Sequence, residues 1–323
     1  MLKNFQKAVL IFVSVAVFLV FNGLPVLGAE FTMKFGTPGS PTDSLSTMAK
    51  WVVGELHKRT NGRIEGKVFP ASQLGNNMQM IEQLQLGTLE ATSGAVAFLT
   101  GAYPPVSIFG LPFIFPDNPD SVRKALKEGR AARWMLDDMA RMGLKGLSFH
   151  LTGYKQFTAN KAITKLEDMK GVKFRSMASP ILLAQFKSLG ANPIPVPFAE
   201  TYSALQTGVA DGQENPYWAI YKMKFFEVQK YLTVSNHGVI IVHAMVSKKW
   251  WDKLPSDLQK TVGEVFREAE RVTWERGQEI DQEAVKAMKA AGLKFLDIST
   301  QEREKFRKAT RNVKDVYVKR IGE

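Results

Sequence analysis

The sequence predicts an α/β protein of two similar lobes along which one long helix runs, and three patterns predict it. Residues 31–92 alternate short strand patterns with helical ones, which is typical of a sheet with crossover helices. The heptad 84–90 returns as 205–211: each reads as a helix end, a Leu-Gln-x-Gly stop and a short strand that ends in an acid. Apolar residues at helical spacing then run over residues 255–292, farther than one lobe needs.

The elements of the first lobe follow from periodicity and stop signals. Phe31–Gly36 alternates like a strand, and the next segment has helical spacing until Asn61-Gly62 ends it. A second strand, a second helix closed by Gly87 and a third strand follow. The predicted ranges are 31–36, 64–69 and 88–92 for the strands, and 43–60 and 74–86 for the helices.

The second lobe shows the same alternation with shorter strands. Residues 166–171 read as a short helix or turn before a strand that ends at Ser176, and a helix over 179–189 follows. Two prolines confine the strand at 194–197 to a few residues. The long helix over residues 255–292 should measure about 50 Å at 1.5 Å per residue, and we expect it to bend near Gly277.

The first 29 residues read as a secretory signal peptide. Lys3 and Lys7 precede the apolar run 8–21, and the small residues Gly28-Ala29 offer a cleavage site. The run is too short to span a membrane comfortably, although an uncleaved anchor is the alternative. We therefore expect a periplasmic protein that is cleaved near Gly28-Ala29.

The amino-acid composition limits which cellular compartment and which partners are expected. The 323 residues contain no cysteine, which excludes disulfides and thiolate chemistry and suits a bacterial periplasm. The 43 Lys and Arg residues exceed the 31 Asp and Glu residues, for a net charge of +12. Removing residues 1–29, with two lysines and no acid, lowers it to +10. Such a surface is either simply solvated or attracts an anionic ligand or acidic partner. Because the basic residues are dispersed and no binding motif occurs, no nucleic acid is expected.

Catalytic and cofactor motifs are missing from the sequence. The four histidines, His57, His150, His237 and His243, have no metal-binding spacing and read as surface or core residues. No nucleophile elbow, Walker loop or dinucleotide-binding motif follows a strand. A periplasmic hydrolase on a similar two-lobed scaffold would need a nucleophile or metal that the sequence does not offer. No catalytic residue, metal or cofactor is therefore expected.

Arg175 and Asn215 are the main candidates for ligand binding. Each lies where a short predicted strand enters a loop. A guanidinium matches a carboxylate with two parallel hydrogen bonds, and a carboxamide can donate to an anion and accept from a hydroxyl. Together they predict a site that holds a small organic acid without reacting with it. A surface ion pair is the alternative for Arg175.

Further candidates lie near these two in the sequence. Lys155 begins the second lobe on a predicted strand, where residues that cross between the lobes face the cleft, although a lone lysine is usually solvated. Tyr217 and Trp218 follow Asn215-Pro216 and form either a packed hinge or an aromatic wall over the ligand. Phe109 lies in an aromatic, proline-rich segment that either packs one lobe or lines the cleft.

Five segments follow one another in order: 69–75, 110–115, 171–175, 211–216 and 226–231. Together they resemble the periplasmic solute-binding subunits of tripartite ATP-independent periplasmic (TRAP) transporters. The resemblance covers essentially the whole mature chain. Gln73, in the first segment, joins the candidate ligand-binding residues.

The resemblance implies a fold and a site. Such proteins have two α/β lobes, joined by crossing strands and a long helix, that close on a carboxylate-bearing ligand. Their ligand-clamping arginine matches Arg175, and their cleft asparagine matches Asn215. Many have a second cleft arginine where this chain has Lys155, which offers a point charge in place of a fork. Many also have a histidine in the first strand–helix loop, residues 36–41 here, where this chain has none.

These observations predict a periplasmic binding protein that captures an organic acid by lobe closure and delivers it to membrane-embedded transporter subunits. Residues 30–152 with about 241–280 are expected to form lobe 1, and residues 153–240 with about 281–323 lobe 2, in a monomer. Lys155 and Trp218 favour a monocarboxylate with an apolar or aromatic body. The alternatives are a dicarboxylate such as succinate, malate or fumarate, or presentation of the ligand to a sensor kinase.

Overall fold

Over residues 28–322, which the computed structural model describes, the strands form two separate sheets. The strands are β1 (Phe31–Gly36), β2 (Ile64–Phe69), β3 (Ala91–Ala95), β4 (Leu144–Tyr154), β5 (Gln156–Ala159), β6 (Lys173–Ser176), β7 (Asn192–Pro195), β8 (Gly212–Asn215), β9 (Tyr231–Val234), β10 (Val239–Ser247) and β11 (Lys294–Asp297). The helices are α1 (Ser44–Arg59), α2 (Asn77–Leu86), α3 (Pro119–Glu128), α4 (Arg130–Asp138), α5 (Pro180–Ser188), α6 (Thr201–Gln206), α7 (Tyr217–Lys222), α8 (Lys248–Trp251), α9 (Ser256–Ala290), α10 (Thr300–Ala309) and α11 (Val313–Ile321). The predicted two-lobed α/β fold is confirmed. Residues 1–27, which hold most of the predicted signal peptide, lie outside the described part of the chain.

The sheet of lobe 1 has the strand order β2-β1-β3-β10-β4. β1 pairs in parallel with β2 and β3, because the helices α1 and α2 carry the chain back across the sheet between them. β10 returns from the second lobe and enters antiparallel between β3 and β4. Apolar side chains such as Met33 and Phe35 of β1 pack into the core between this sheet and the helices.

The third strand starts three residues later than its pattern predicts, at Ala91 in place of Thr88. Gly87 ends the preceding helix in the left-handed region, with φ of 80°. The N–H groups of Gly87, Thr88 and Leu89 all donate to the carbonyl of Gln83. Thr88 and Leu89, which have the pattern of a strand, therefore form hydrogen bonds to the C-terminal end of α2 in place of a neighbouring strand.

The sheet of lobe 2 has the order β11-β9-β5-β8-β6-β7. Two strand crossings link it to lobe 1, in addition to the long helix α9: β4 continues into β5 through Lys155, and β9 continues into β10 through residues 235–238. The crossings are held together by the Lys155 N–H, which donates to the Gly238 carbonyl at 2.8 Å. Gly153 beside them has φ of +143°, and a Cβ there would lie 2.9 Å from the Cβ of Pro216, so glycine is needed at this junction.

The long helix α9 belongs to both lobes. Its first half buries Leu258, Val262 and Phe266 in the core of lobe 1. Its second half buries Ile280 and Met288 in the core cluster that reaches lobe 2. The predicted helix that runs along both lobes is thus present and uninterrupted, while its bend at position 277 stays a prediction. Among residues 28–322, no helix is both long and apolar enough to cross a bilayer.

Three of the four histidines are buried. His150 bonds to Ser148 and Thr273 through its two ring nitrogens, at 2.7 and 2.9 Å. His243 on β10 is 1% exposed, and neither of its ring nitrogens has a hydrogen-bond partner among the described residues. Burial lowers the pKa of His243 to about 3, so its ring is neutral at physiological pH.

Replacing His243 with leucine is expected to change how folding depends on pH. The ring titrates near 6.5 in the unfolded chain, so between pH 6.5 and about 3 the unfolded chain binds a proton that the folded chain does not. Wild type therefore loses stability as pH falls through that window. Urea unfolding should show wild type losing about 2 kcal/mol more than His243→Leu between pH 7 and pH 5. The same loss in both proteins would contradict a buried neutral ring.

Candidate functional site

Arg175 lies in the lobe 2 sheet on the strand next to the edge strand β7. It is on β6, paired with Ile194 of β7 and Gln213 of β8, and it is fully buried. Its Nε and Nη2 both donate to the carbonyl of Val196, at 3.0 and 2.8 Å. This carbonyl fixes one edge of the guanidinium and leaves Nη1, which is buried and has no hydrogen-bond partner among the described residues.

The guanidinium of Arg175 carries its charge in a poorly solvated place. Burial lowers its pKa to about 10, with the distant carboxylate of Glu214 opposing the shift, so it is still protonated at neutral pH. Its central carbon lies 6.0 Å from the ring centroid of Phe198. No salt bridge within residues 28–322 involves Arg175. A buried cation of this kind is suited to a carboxylate that arrives from outside the chain.

Lys155, by contrast, has a carboxylate partner inside the protein. Its Nζ lies 2.9 Å from Oε1 of Glu214, and the two side chains are 2% and 0% exposed. Oε2 of Glu214 accepts from Nε2 of His237 at 2.6 Å and from Nε2 of Gln185 at 3.1 Å. Ser235 Oγ lies 2.8 Å from the other ring nitrogen of His237. The crossing residues 155 and 235–237 are thereby tied to β8.

The charges in this network have defined signs at neutral pH. Burial alone would raise the pKa of Glu214, but the Lys155 ammonium and the hydrogen bond from His237 outweigh it and hold the pKa at about 2. Burial lowers the pKa of His237 to about 4, so this ring is neutral. The buried site therefore has two cations, Arg175 and Lys155, against the one anion Glu214. One positive charge is left uncompensated.

Two small cavities lie between the lobes. The larger, of about 150 Å³, is bounded in lobe 1 by residues 76–78 and Phe98 and in lobe 2 by Ala178 and residues 195–197. Its wall includes Val196, whose carbonyl holds Arg175.

The smaller cavity, of about 20 Å³, is lined mainly by apolar groups such as Phe109, and Lys155 also lines it. Ser107 from lobe 1 and Ser179 from lobe 2 also line it, and their buried hydroxyls have no hydrogen-bond partner among the described residues. Buried polar groups are almost always paired, so these two hydroxyls are able to contact a ligand. Arg175 lines neither cavity, but its Nη1 is likewise buried without a hydrogen-bond partner among the described residues.

Of the predicted site residues, the structure places Arg175 on β6 and Asn215 at the end of the neighbouring strand β8, and Lys155 directly before β5, which pairs with the other side of β8. Asn215 lies at the end of β8 and donates through its amide to Gln213. Phe109 reaches the same boundary from lobe 1 and packs against Phe149, with 5.0 Å between ring centroids.

Tyr217, Trp218 and Gln73 do not line either cavity. The backbone N–H of Trp218 donates to Asp281 at 2.7 Å, and its indole donates to the carbonyl of Thr152 at 2.8 Å. Tyr217 stacks on Phe295, and Gln73 is exposed in a turn. The contacts of Trp218 join α7, α9 and β4, which corresponds to the packed-hinge alternative and gives no support to an aromatic wall over the ligand.

The partners of Lys155 were missed by reasoning from the sequence. Glu214 is flanked by Gln213 and Asn215 in a short strand, and an acid in a buried strand needs a cation or several donors. That signal could have identified Glu214 as a candidate. It could not have identified Lys155 as its partner, because the two residues are 59 positions apart in the sequence. Among residues 28–322, no group of three or more metal-binding side chains is arranged to hold a metal ion.

Comparison with known proteins gives one consistent family. Residues 35–320 match the family described as bacterial extracellular solute-binding protein, family 7. The C4-dicarboxylate-binding periplasmic protein DctP of Rhodobacter capsulatus is 33% identical over 301 residues, which are 93% of this chain and 90% of the relative.

Solved structures agree with that family. A TRAP periplasmic solute-binding protein from Desulfovibrio salexigens with bound orotic acid has a TM-score of 0.87 and 36% identity, covering 90% of this chain and 94% of that one. Another, from Sulfurospirillum deleyianum with bound succinate, has a TM-score of 0.85 and 34% identity, covering 91% of this chain and 96% of that one.

Proposed function

Because the chain belongs to the family 7 solute-binding proteins, the periplasmic binding subunits of TRAP transporters, we propose that it captures an organic monocarboxylate through Arg175. The ligand has an apolar or aromatic body and is held between the lobes, which close over it and present it to the membrane subunits. The protein is a binding protein and not an enzyme, as the family is. We extend the proposal to a monomer that is exported by a cleaved signal peptide.

The observation that carries the proposal is the buried guanidinium of Arg175. Val196 occupies two of its nitrogens with a neutral carbonyl, and Nη1 has no partner among the described residues. A carboxylate at Nη1 would supply the missing acceptor and the missing negative charge together. Charge-assisted pairs of this type are about twice as strong as neutral hydrogen bonds.

The count of buried charges favours one ligand carboxylate over two. Glu214 already neutralises Lys155 across 2.9 Å, so the ammonium has little charge left to offer a ligand. A monocarboxylate matches the single uncompensated charge of Arg175. A dicarboxylate would bring a second anion into a site where Glu214 is also ionised, and an unpaired buried charge is costly.

Apolar lining favours a ligand with a ring or a branched chain. Phe98 and Pro197 bound the larger cavity, and Phe109, Leu182 and Ile240 bound the smaller one. Covering such groups stabilises a complex by about 25 cal/mol per Å² removed from water. In this proposal the apolar wall predicted for Trp218 is supplied by Phe98 and Phe109.

A C4-dicarboxylate is the second candidate, and two comparisons favour it. The R. capsulatus relative is named for C4-dicarboxylates, and the S. deleyianum structure has bound succinate. The D. salexigens structure has bound orotic acid, a ring with one carboxylate, and so agrees with the first candidate. For a dicarboxylate to bind, the Lys155 ammonium would have to pair with the second carboxylate of the ligand as well as with Glu214.

A thermal-shift panel separates the two candidates. We expect aromatic and branched monocarboxylates to raise the melting temperature of wild type more than succinate, malate or fumarate do, because bound ligand stabilises the folded state by mass action. Stabilisation by the dicarboxylates alone would contradict the charge count. Lys155→Met/Glu214→Gln is the matched control. It removes one cation and one anion, leaves the net charge of the site unchanged, and should keep the monocarboxylate preference.

A further inference from the structure

Two helices on lobe 1 present an unusual outer surface. α3 buries Val122 and Leu126, and α4 buries Ala132 and Met135. At 100° per residue, the positions opposite these buried residues hold four basic side chains and one tryptophan, together with Asp120, Glu128 and Asp137. We call this surface the α3–α4 face and define it as Lys124, Lys127, Arg130, Arg133 and Trp134, all of them exposed.

The cations of the α3–α4 face have no carboxylate partners. No salt bridge within residues 28–322 involves any of its lysines or arginines. The nearby acids are occupied elsewhere: Asp120 pairs with Arg123, Asp138 with Arg141, and Asp137 with Lys145. Within the described residues, Glu128 is the one acid of these two helices that lacks such a partner. Four free positive charges therefore stand against one free negative charge.

Trp134 lies among these charges with its ring largely in solvent. It is 54% exposed, and none of the other exposed apolar residues in the described chain is aromatic. It lies one turn after Arg130 and directly beside Arg133, on the side of α4 that faces away from the buried Ala132 and Met135. Tryptophan prefers the boundary between water and hydrocarbon, because its ring is apolar and its N–H is polar.

We propose that the α3–α4 face docks on an anionic phospholipid surface. The lysines and arginines contact the headgroups, and Trp134 enters the interface between headgroups and acyl chains. The net charge of +10 that is left after removal of residues 1–29 acts in the same direction. Lys127 and Arg133 also border a cleft of about 490 Å³ on this side of lobe 1, whereas Lys124, Arg130 and Trp134 lie outside its lining. The diffuse charge of a lipid surface contacts such exposed residues without a matching shape. Such docking would hold the protein near the membrane whichever acid it binds.

Flotation with lipid vesicles tests the proposal. At low ionic strength, wild type is expected to float with vesicles made of equal parts phosphatidylglycerol and phosphatidylcholine, and not with phosphatidylcholine alone. Arg130→Glu/Arg133→Glu should lower the partition coefficient more than about tenfold, since each basic residue near such a surface contributes appreciably. Added salt should release the protein, because the contacts are exposed and screened.

A matched control separates this face from general attraction between a basic protein and an anionic surface. Lys308→Glu/Arg311→Glu makes the same change in net charge at two exposed cations of lobe 2, and neither forms a salt bridge among the described residues. It should float nearly as wild type does. Melting temperatures of both double variants near that of wild type establish that the proteins are folded.

Quenching by phospholipids with brominated acyl chains tests the insertion of Trp134 separately. Part of the tryptophan fluorescence of wild type should be quenched, and Trp134→Phe should remove that part while the protein still floats. Absence of flotation with the anionic vesicles would overturn the proposal. So would an equal loss in the two charge-reversal variants, or binding to an acidic protein at this face without any binding to vesicles.

Discussion

Replacing Arg175 with alanine is expected to weaken binding of the organic acid by about 30-fold to several-thousand-fold, or about 2–5 kcal/mol. The ligand carboxylate would lose its charged partner in a place where water cannot replace it. Arg175 is 0% exposed and no other free cation lies beside it among the described residues, so little compensation is available. Isothermal titration calorimetry with the best acid from the thermal-shift panel measures the loss.

Three companion variants separate the charge of Arg175 from its structural role. Arg175→Gln can still donate to the Val196 carbonyl but has no charge, so it should bind nearly as weakly as Arg175→Ala. Arg175→Lys keeps the charge without the fork and should recover part of the affinity. Lys173→Ala removes a cation from the same strand whose side chain is 44% exposed, and it should bind as wild type does. Wild-type affinity in Arg175→Ala would refute the assignment.

Replacing Glu214 with glutamine is expected to lower the free energy of unfolding by about 3–5 kcal/mol. The change keeps the shape of the side chain but leaves the Lys155 ammonium, which is 2% exposed, without its counter-charge. It also weakens the acceptor for His237 and Gln185. Urea unfolding at neutral pH measures the loss.

The double variant Lys155→Met/Glu214→Gln shows whether the pair is the cause. Removing both charges should cost much less than removing Glu214 alone, because no unpaired ion stays buried. Losses that simply add would contradict a coupled pair. The pH dependence gives a second check. The pKa of Glu214 is about 2 in the folded protein and about 4.5 in the unfolded chain. Its contribution to the free energy of unfolding is therefore complete above pH 4.5 and is lost as pH falls towards 2.

The architecture could be predicted from the sequence where signals were local. Strand and helix periods in residues 31–92 give three of the five strands of the first sheet, and the apolar spacing over 255–292 gives α9. Boundaries shifted where side chains or backbone groups cap an end: α2 begins at Asn77, because Asn76 and Gln79 form a capping box. The insertion of β10 between β3 and β4 depends on contacts between distant residues, which periodicity does not contain.

The sequence indicated which residue types form the site, but not which of these side chains bond to one another. Arg175 stands out because a guanidinium at a strand end suits a carboxylate, and the structure gives it a free nitrogen. Lys155 was expected to face the ligand, yet its ammonium lies 2.9 Å from Glu214, a contact set by the pairing of β5 with β8. Trp218 was expected at the ligand because it is three residues from Asn215. The turn of α7 directs its indole to the Thr152 carbonyl instead.

Mass spectrometry of the small molecules that the purified protein releases on denaturation tests the central claim most directly. Wild type, purified from cells without dialysis, is expected to release a carboxylate-bearing organic acid in an amount close to that of the protein. Arg175→Ala, folded and treated in the same way, is expected to release little of it. A released molecule without a carboxylate, or the same acid in equal amounts from both proteins, would contradict capture of an organic acid by Arg175.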